Sequence, residues 1–433
     1  MNYQETIDYL YSKLPMFSRI GEAAIKKDLT NTLTLCEALQ NPQQQFKTIH
    51  IAGTNGKGST SHMLAAVLQE AGYKTGLYTS PHLVDFRERI RVNGSMIPES
   101  FVIRFTENAM PLINRIEPSF FELTVAMAFS YFKEEQVDIA VIETGLGGRL
   151  DSTNIIQPEL SIITNIGWDH MNLLGNTLPD IAKEKAGIIK ENTPVVIGEY
   201  HAETFPVFEQ TAGSRKAPLH LAASEWTLKD TRPEYNHLTV DLEHVPSGKS
   251  HQYALDLPGI YQTHNLKTVL SAVRLLNQQG WTVNESALLN GLAAVKKNTG
   301  LKGRWDILQR EPWVIADVGH NTDGIKQVLS QLSTMTYRNL HWVIGMVKDK
   351  EIEKVLQLLP TTARYYFTRS AIPRALSETD LQSTAASFGL KGDYYSNVNL
   401  ALESAMKNAG KEDLILICGS VFLVGELPHY TSS

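Results

Sequence analysis

Short apolar runs alternate along this chain with glycine-rich or polar breaks and with stretches whose apolar residues recur at helical spacing. Thr48-Ile49-His50-Ile51-Ala52 reads as a short buried strand. After a break, Thr60 to Ala71 carries Met63, Leu64, Val67, Leu68 and Ala71 at a helical period. Lys74 to Tyr78 reads as a strand, and Phe120 to Glu134 as a helix with Leu123, Ala126, Met127, Ser130 and Tyr131 on one side. Val137 to Glu143 and Leu160 to Asn165 are near-continuous apolar runs, the form of strands buried on both faces of a parallel sheet. Residues 1–45 look helical, with Ile7, Leu10, Tyr11 and Leu14 and then Leu29, Leu33, Leu35, Cys36 and Leu39 as the apolar positions. Such alternation predicts an α/β protein, its mostly parallel sheet covered by helices on both faces.

From His220 to Leu257 the pattern changes. Leu238, Val240 and Leu242 alternate with polar residues, and Pro246-Ser247-Gly248 supplies a turn, so a small antiparallel β region is expected. Helices return at His264 to Gly280 and Glu285 to Val295. Lys296-Lys297-Asn298-Thr299-Gly300 is then a polar, glycine-ended break and the candidate linker. Trp313 to Asp317, Leu340 to Ile344, Arg364 to Thr368 and Leu414 to Cys418 read as strands of a second, Rossmann-like α/β domain. The boundary is placed near 297, separating 1–296 from 297–433.

Composition narrows the field little further. A chain of 433 residues is long for one core, which agrees with two domains. Hydrophobic content of 42% and charged content of 20% describe a globular protein. A formal charge of −6 gives no electrostatic reason to expect nucleic acid or an anionic membrane as partner. Met1 to Phe17 lacks the basic start and apolar run of a secretory signal. Leu414 to Leu427, the longest apolar stretch, is interrupted by Gly419 and Ser420 and is too short to span a bilayer. Cys36 and Cys418 are far apart and without metal-ligand spacing, so two reduced thiols in the cytoplasm are expected.

The chemistry concentrates where the first strand meets its helix. Gly53-Thr54-Asn55-Gly56-Lys57-Gly58-Ser59 is a glycine-rich turn whose backbone N–H groups can approach a phosphate chain, helped by the helix N-terminus. Lys57 would reach the terminal phosphates and the Ser59 hydroxyl would hold Mg²⁺. The spacing departs from G-x-x-x-x-G-K-[ST], because Gly58 separates Lys57 from Ser59. A P-loop NTPase-like domain that binds a nucleoside triphosphate is the reading.

Glu143 ends a buried strand, where ligands of parallel sheets collect, and is placed to hold a metal; Gly145, Gly147 and Gly148 follow it. Asn165-Ile166-Gly167-Trp168-Asp169-His170 ends the next strand, where His170 could ligate a divalent metal and Asp169 orient it. Ala182 to Ile188, including Lys185, has by periodicity alone the charge pattern of an exposed helix. Asn265 opens a helix where it could read a base. Arg304 could neutralise phosphate, and Asp317 terminates another apolar strand before Gly319-His320-Asn321. Neither the Asn-Lys-x-Asp of GTPases, nor the His-Arg-Asp and Asp-Phe-Gly of kinases, nor a Gly-x-Ser-x-Gly elbow is present.

Taken together, Gly53 to Ser59, Ser80-Pro81-His82-Leu83, Glu88-Arg89-Ile90, Glu143 to Asn154, Asp169-His170, Glu184 to Ile188, Gly303-Arg304 and Asp317 to Asn321 resemble the folylpolyglutamate synthase/dihydrofolate synthase family. That family belongs to the Mur ligase superfamily of ATP-dependent amide-forming ligases, and the resemblance runs from about residue 5 to about residue 428. Ser80 to Leu83 and Gly147 to Asp151 favour the folate branch over cell-wall ligases; a catalytically silent nucleotide-binding paralogue is the other alternative. The resemblance implies ATP contacts from Thr54, Asn55, Gly56, Lys57, Gly58, Ser59, Asn265, Arg304, Asp317 and His320. It implies Mg²⁺ at two sites, held by Ser59, Ser80, Glu143, His170 and a carbamylated Lys185. It places the pterin and its carboxylate near Ser80, Pro81, His82, Ser119, Phe121 and Asp151. Lys57, His170, Lys185 and Arg304 would be catalytic. Dihydropteroate, folates and L-glutamate would be the substrates, of a monomer closing about a hinge near 297.

Overall fold

The computed structural model describes residues 1–431 apart from 25, 27, 349 and 350. Its first sheet has eight strands: β1 (Lys47–Ala52), β2 (Thr75–Tyr78), β3 (Ile90–Val92), β4 (Ser95–Met96), β5 (Ile139–Glu143), β6 (Leu160–Ile163), β7 (Val195–Ile197) and β8 (Leu219–Leu221). Their order is β4-β3-β2-β5-β1-β6-β7-β8. Across the sheet from β2 to β8 every pair is parallel; only the β2–β3 and β3–β4 pairs, at one edge, are antiparallel. β2, β5, β1 and β6 therefore end side by side; the phosphate loop, Ser80 to Leu83, the Glu143 loop and the Asp169-His170 segment each leave one of those four ends, while Ser119 and Phe121 sit at the start of the helix Phe120–Glu134 and Lys185 on the helix Leu178–Ala186. A doubly covered parallel sheet collects its ligands along that rim.

The faces of the sheet alternate along β1 as a two-residue period demands. Ile49 and Ile51 join a core with Met63 to Leu68 of the helix Lys57–Glu70 and with Leu266, Val269 and Leu270 of the helix Gln262–Gln278. That first helix is buried on every side from Ser59 to Leu68, so Met63, Leu64, Val67 and Leu68 each contribute roughly 1.5–3 kcal/mol. The opposite face packs Ala140 and Ile142 against the helices Tyr3–Lys13, Glu99–Ile116 and Phe120–Glu134. Three antiparallel strands, β9 (Trp226–Pro233), β10 (Leu238–His244) and β11 (Lys249–Leu255), form a separate sheet in order β11-β10-β9.

The third sheet contains β12 (Asp306–Arg310), β13 (Trp313–Asp317), β14 (Leu340–Ile344), β15 (Arg364–Phe367), β16 (Lys391–Tyr394) and β17 (Leu414–Cys418), in order β12-β13-β17-β14-β15-β16. Only β12 is antiparallel to its neighbour. Buried apolar side chains cover both of its faces.

The expected linker is not a loose segment. Val295–Thr299 is a short helix, ended by Gly300 in the left-handed region. Thr299 Oγ1 sits 2.7 Å from His62 Nδ1, Asn298 donates to Glu70 Oε1, and Lys296 Nζ reaches Asp306 Oδ1 at 2.7 Å. Cys36 and Cys418 are buried free thiols, and no described helix is long and apolar enough to cross a membrane.

Candidate active site

The phosphate loop is tied to the end of β6 before anything binds it. Thr54 N and Asn55 N donate to the backbone oxygen and the Oδ1 of Asn165, and Thr164 Oγ1 donates to Asn55 O at 2.6 Å. Gly56 has φ +83°, and a Cβ there would meet Asn265 Oδ1 at 2.2 Å. Only glycine allows both that backbone and that approach. Asn265, expected to read a base, thus lies against the loop itself, donating to Gln262 Oε1 at 2.7 Å. Gln262 in turn donates to Ser59 Oγ at 3.2 Å. Gln262, Thr164 and Asn165 had no expected role; a buried glutamine one turn before an expected ligand was the available signal.

Two lysines converge on one carbonyl. Lys57 Nζ is 3.0 Å and Lys185 Nζ 2.7 Å from Gly53 O. Lys185 is only 4% exposed, so it is not on the solvent face of its helix, Leu178–Ala186. Leu178, Ile181, Ala182 and Lys185 form the buried i, i+3, i+4, i+7 stripe, which corrects the exposed-helix reading from periodicity. Burial first, and the Lys57 charge second, bring the Lys185 amine down to about 7. Such an amine is largely neutral near physiological pH and is able to add to carbon dioxide.

Glu143 lies across from these lysines, its carboxylate accepting from Ser80 N at 3.3 Å. A Cβ on Gly58 would sit 3.4 Å from an Arg304 nitrogen and 3.7 Å from Glu143 Oε2, so Arg304 reaches from the second half to the loop. Burial raises the Glu143 carboxyl to about 7, against the opposing pull of Lys57. A buried carboxylate with one amide donor, beside two hydroxyl-bearing serines, is a donor set suited to a hard cation such as Mg²⁺. No three His, Cys, Asp or Glu side chains converge as a metal cage among the described residues. Mg²⁺ does not require one, because phosphate oxygens and water complete its shell.

The raised Glu143 pKa sets a pH dependence. Between about 4.5 and about 7 the folded chain holds a proton that the unfolded chain has released, so stability falls as pH rises through that window. Glu143→Gln is expected to stabilise the metal-free protein by roughly 3 kcal/mol at pH 8 while removing Mg²⁺-dependent turnover. Urea midpoints at pH 5 and pH 8 check this; an unchanged pH dependence in the variant would remove Glu143 as its source.

Across the site, Asp317 accepts from Tyr261 OH at 2.6 Å, Trp305 N at 2.9 Å and Gly319 N at 2.8 Å. Burial nevertheless raises its pKa. His320 Nε2 approaches Asp169 Oδ2 at 3.4 Å. His170 follows Asp169 in a left-handed conformation, its ring 5.7 Å from that of Phe17, in a cleft shared with Trp168, Asn321 and Glu351. His170 is the only nitrogen donor among the unmodified expected ligands.

The expected substrate side is partly architectural. Ser119 caps the helix Phe120–Glu134, accepting from Glu122 N while its own N–H donates to Glu122 Oε2. The Ser80–Pro81 peptide is cis. His82 is turned away from Glu143: its Nδ1 accepts from Arg89 Nε at 2.8 Å, and burial takes its pKa down to about 3. The Phe121 ring lies over Gly145, where a Cβ would be 2.4 Å from its Cζ. Asp151 accepts from Leu146 N, Thr153 N and Thr153 Oγ1, gathering the glycine-rich loop around its carboxylate.

A phosphate loop facing an arginine and an aspartate from a second α/β unit is the arrangement of a Mur-type ligase. The Mur ligase middle domain profile matches residues 51–273, and the Mur ligase glutamate ligase domain profile matches 303–421. The dihydrofolate synthase/folylpolyglutamate synthase of Bacillus subtilis is 31% identical over 98% of this chain and 98% of its own. The structure of folylpolyglutamate synthase from Thermotoga maritima superposes with a TM-score of 0.82 at 33% identity, covering 100% of this chain and 97% of that one. E. coli FolC in complex with DHPP and ADP gives 0.83 at 30% identity, covering 98% and 96%. The chain belongs to the folylpolyglutamate synthase/dihydrofolate synthase family.

Proposed function

We propose that this chain is an ATP-dependent ligase that forms an amide bond between L-glutamate and a pterin carboxylate. It would convert dihydropteroate to dihydrofolate and add glutamates to tetrahydrofolate. The observation that carries this reading is the meeting of Lys57, Lys185, Glu143 and Arg304 around one phosphate loop, with the Phe121–Gly145 contact on the neighbouring strand end. The relatives carry the same activity in their names.

A free carboxylate is a poor acyl donor. Its oxygen attacks the γ-phosphorus of ATP, the bond to ADP breaks, and an acyl phosphate forms. The glutamate nitrogen then attacks the carbonyl carbon, loses a proton, and phosphate departs with the C–O bonding pair. Lys57 and Arg304 spread the charge that develops on the transferred phosphoryl group. Asn265 and Gln262 hold the loop and Ser59 in register. Mg²⁺, held by Ser59, Ser80, Glu143, His170 and the Lys185 carbamate, would orient the phosphates and act as a Lewis acid. The carbamate forms when the Lys185 amine adds to carbon dioxide and releases a proton. Phe121 would lie against the pterin ring, with Asp151 beside it.

The domain division is proposed near 297, the first part carrying nucleotide and pterin and the second the glutamate side, in a monomer. Because Val295–Thr299 is packed, rotation would be taken up at Gly300 to Gly303, both with positive φ. Closure would keep water from the acyl phosphate. Identical small-angle scattering with and without substrates would remove the closure step.

The test is phosphate release from MgATP with L-glutamate, comparing dihydropteroate, tetrahydrofolate and no acceptor. Release with both acceptors is expected. Release with one only would restrict the activity, and release with neither would overturn the reading.

A further inference from the structure

Beneath the substrate loop, a line of polar side chains runs into the apolar interior. His50 on β1 is fully buried, as is Thr153. His50 Nε2 is 2.8 Å from Thr153 Oγ1, and Thr153 Oγ1 is 2.5 Å from Asp151 Oδ1. The buried His50 Nδ1 has no hydrogen-bond partner. Placing a histidine there carries a desolvation cost that an apolar residue would avoid.

The protons on this line can be assigned by elimination. Asp151 collects donors from Leu146 N at 2.8 Å, Thr153 N at 3.0 Å and Thr153 Oγ1, which favour the carboxylate anion against the burial that raises its pKa. The Thr153 hydroxyl has one proton, and it goes to Asp151. Its oxygen must then accept from His50, which places the imidazole proton on Nε2 and leaves Nδ1 bare, in agreement with the orphaned Nδ1. Burial, with Lys190 nearby, brings the His50 pKa down to about 3, so the ring stays neutral. A neutral ring has the same one proton to give at all working pH values.

We propose that His50 is a positioning residue for pterin recognition: by donating from Nε2 it directs the Thr153 hydroxyl at Asp151 and so sets the carboxylate and its glycine-rich loop beneath Phe121. With the imidazole removed, the hydroxyl is free to turn, and Asp151 loses it as a fixed donor. The ATP side is untouched, because the phosphate loop is held through Thr164, Asn165 and Asn265. The inference rests on the reading that Asp151 faces a pterin.

The test uses His50→Leu, His50→Gln and Thr153→Val in the full chain. His50→Leu is expected to raise KM for the pterin acceptor on the order of tenfold while KM for ATP stays within twofold. His50→Gln, which restores an N–H donor, should recover most of the loss. Thr153→Val should match His50→Leu, and the double variant should be no worse than either alone. Amide hydrogen exchange supplies a readout independent of turnover: Leu146 and Thr153 N–H should exchange faster in His50→Leu and Thr153→Val, but not in His50→Gln. Equal losses for ATP and acceptor, an unchanged acceptor KM, or no rescue by glutamine would overturn the proposal. If the unsubstituted chain turns over no pterin, the functional reading falls, and unchanged exchange at Leu146 in the variants would overturn the positioning role separately.

Discussion

Lys57→Ala is expected to lower phosphate release by about 10³-fold or more while leaving the fold intact. The side chain makes two contacts in the protein, to Gly53 O at 3.0 Å and Thr54 O at 3.2 Å, both within its own loop. Gly53 O keeps Lys185 Nζ at 2.7 Å when Lys57 is replaced, so losing the contacts should move the unfolding midpoint little. The chemical loss is large because no other cation is positioned from inside the loop; Arg304 comes from the other α/β unit. Steady-state kinetics with the pterin acceptor, together with thermal unfolding, check both halves of this statement. Activity within tenfold of the unsubstituted chain would take the loop lysine out of phosphoryl transfer.

Lys185→Ala should be nearly as damaging, on the order of 10²-fold or more, and partly restored by added formate or acetate. Its amine is held at Gly53 O with Lys57 as neighbour, and its pKa of about 7 leaves it ready to take up carbon dioxide. The neutral fraction grows as pH rises through about 7, so carbamate-dependent activity should climb over that range. Stability gives an independent check. Below about 7 the buried lysine must be charged and the full penalty applies; between about 7 and 10.5 the unfolded chain binds the extra proton, so stability rises with pH. At pH 6, Lys185→Ala should therefore unfold at a higher midpoint than expected from the lost packing, an advantage that shrinks by pH 9. A variant with full rate and unchanged Mg²⁺ dependence would end the carbamate role.

The core strands were legible because strands buried on both faces carry few polar residues: β5, β6, β13, β14 and β17 lie within stretches read from apolar runs, and β1 begins one residue before its stretch. Several shorter or more exposed elements were not. β3 and β4, of three and two residues, and the edge strands β12 and β16 are too short or too exposed for a period to register. Glu99–Ile116 went unread although Phe101, Val102, Phe105, Ala109 and Ile113 are its buried stripe; Pro111 inside it disguises the helix. The helix Lys57–Glu70 starts three residues before the expected Thr60, because its first turn is the phosphate loop itself. In the site, glycine spacing exposed the loop and strand-end carboxylates exposed Glu143 and Asp317. Lys185 needed more: its charged neighbours read as an exposed helix, and its partner Gly53 O is 132 positions away in the chain. His82 and Ser119 show the reverse case, polar residues beside the site whose hydrogen bonds serve a buried arginine and a helix cap.

Asn55 of the loop and Asn321 of the second α/β unit exchange their amide groups, each donating Nδ2 to the other's Oδ1, at 3.2 and 3.1 Å, across 266 residues. A reciprocal carboxamide pair has no charge to spare. Asn321 is itself held, donating to Asp169 Oδ2 at 3.4 Å and accepting from Gly324 N at 2.8 Å, so it is pre-set to meet Asn55, and a change at either asparagine breaks both bonds of the pair at once. The two halves are therefore not interchangeable parts. A chimera that joins the first half of this chain to the glutamate-ligating half of a distant ligase would need both asparagines carried across the junction, and divergence at one should be matched by divergence at the other.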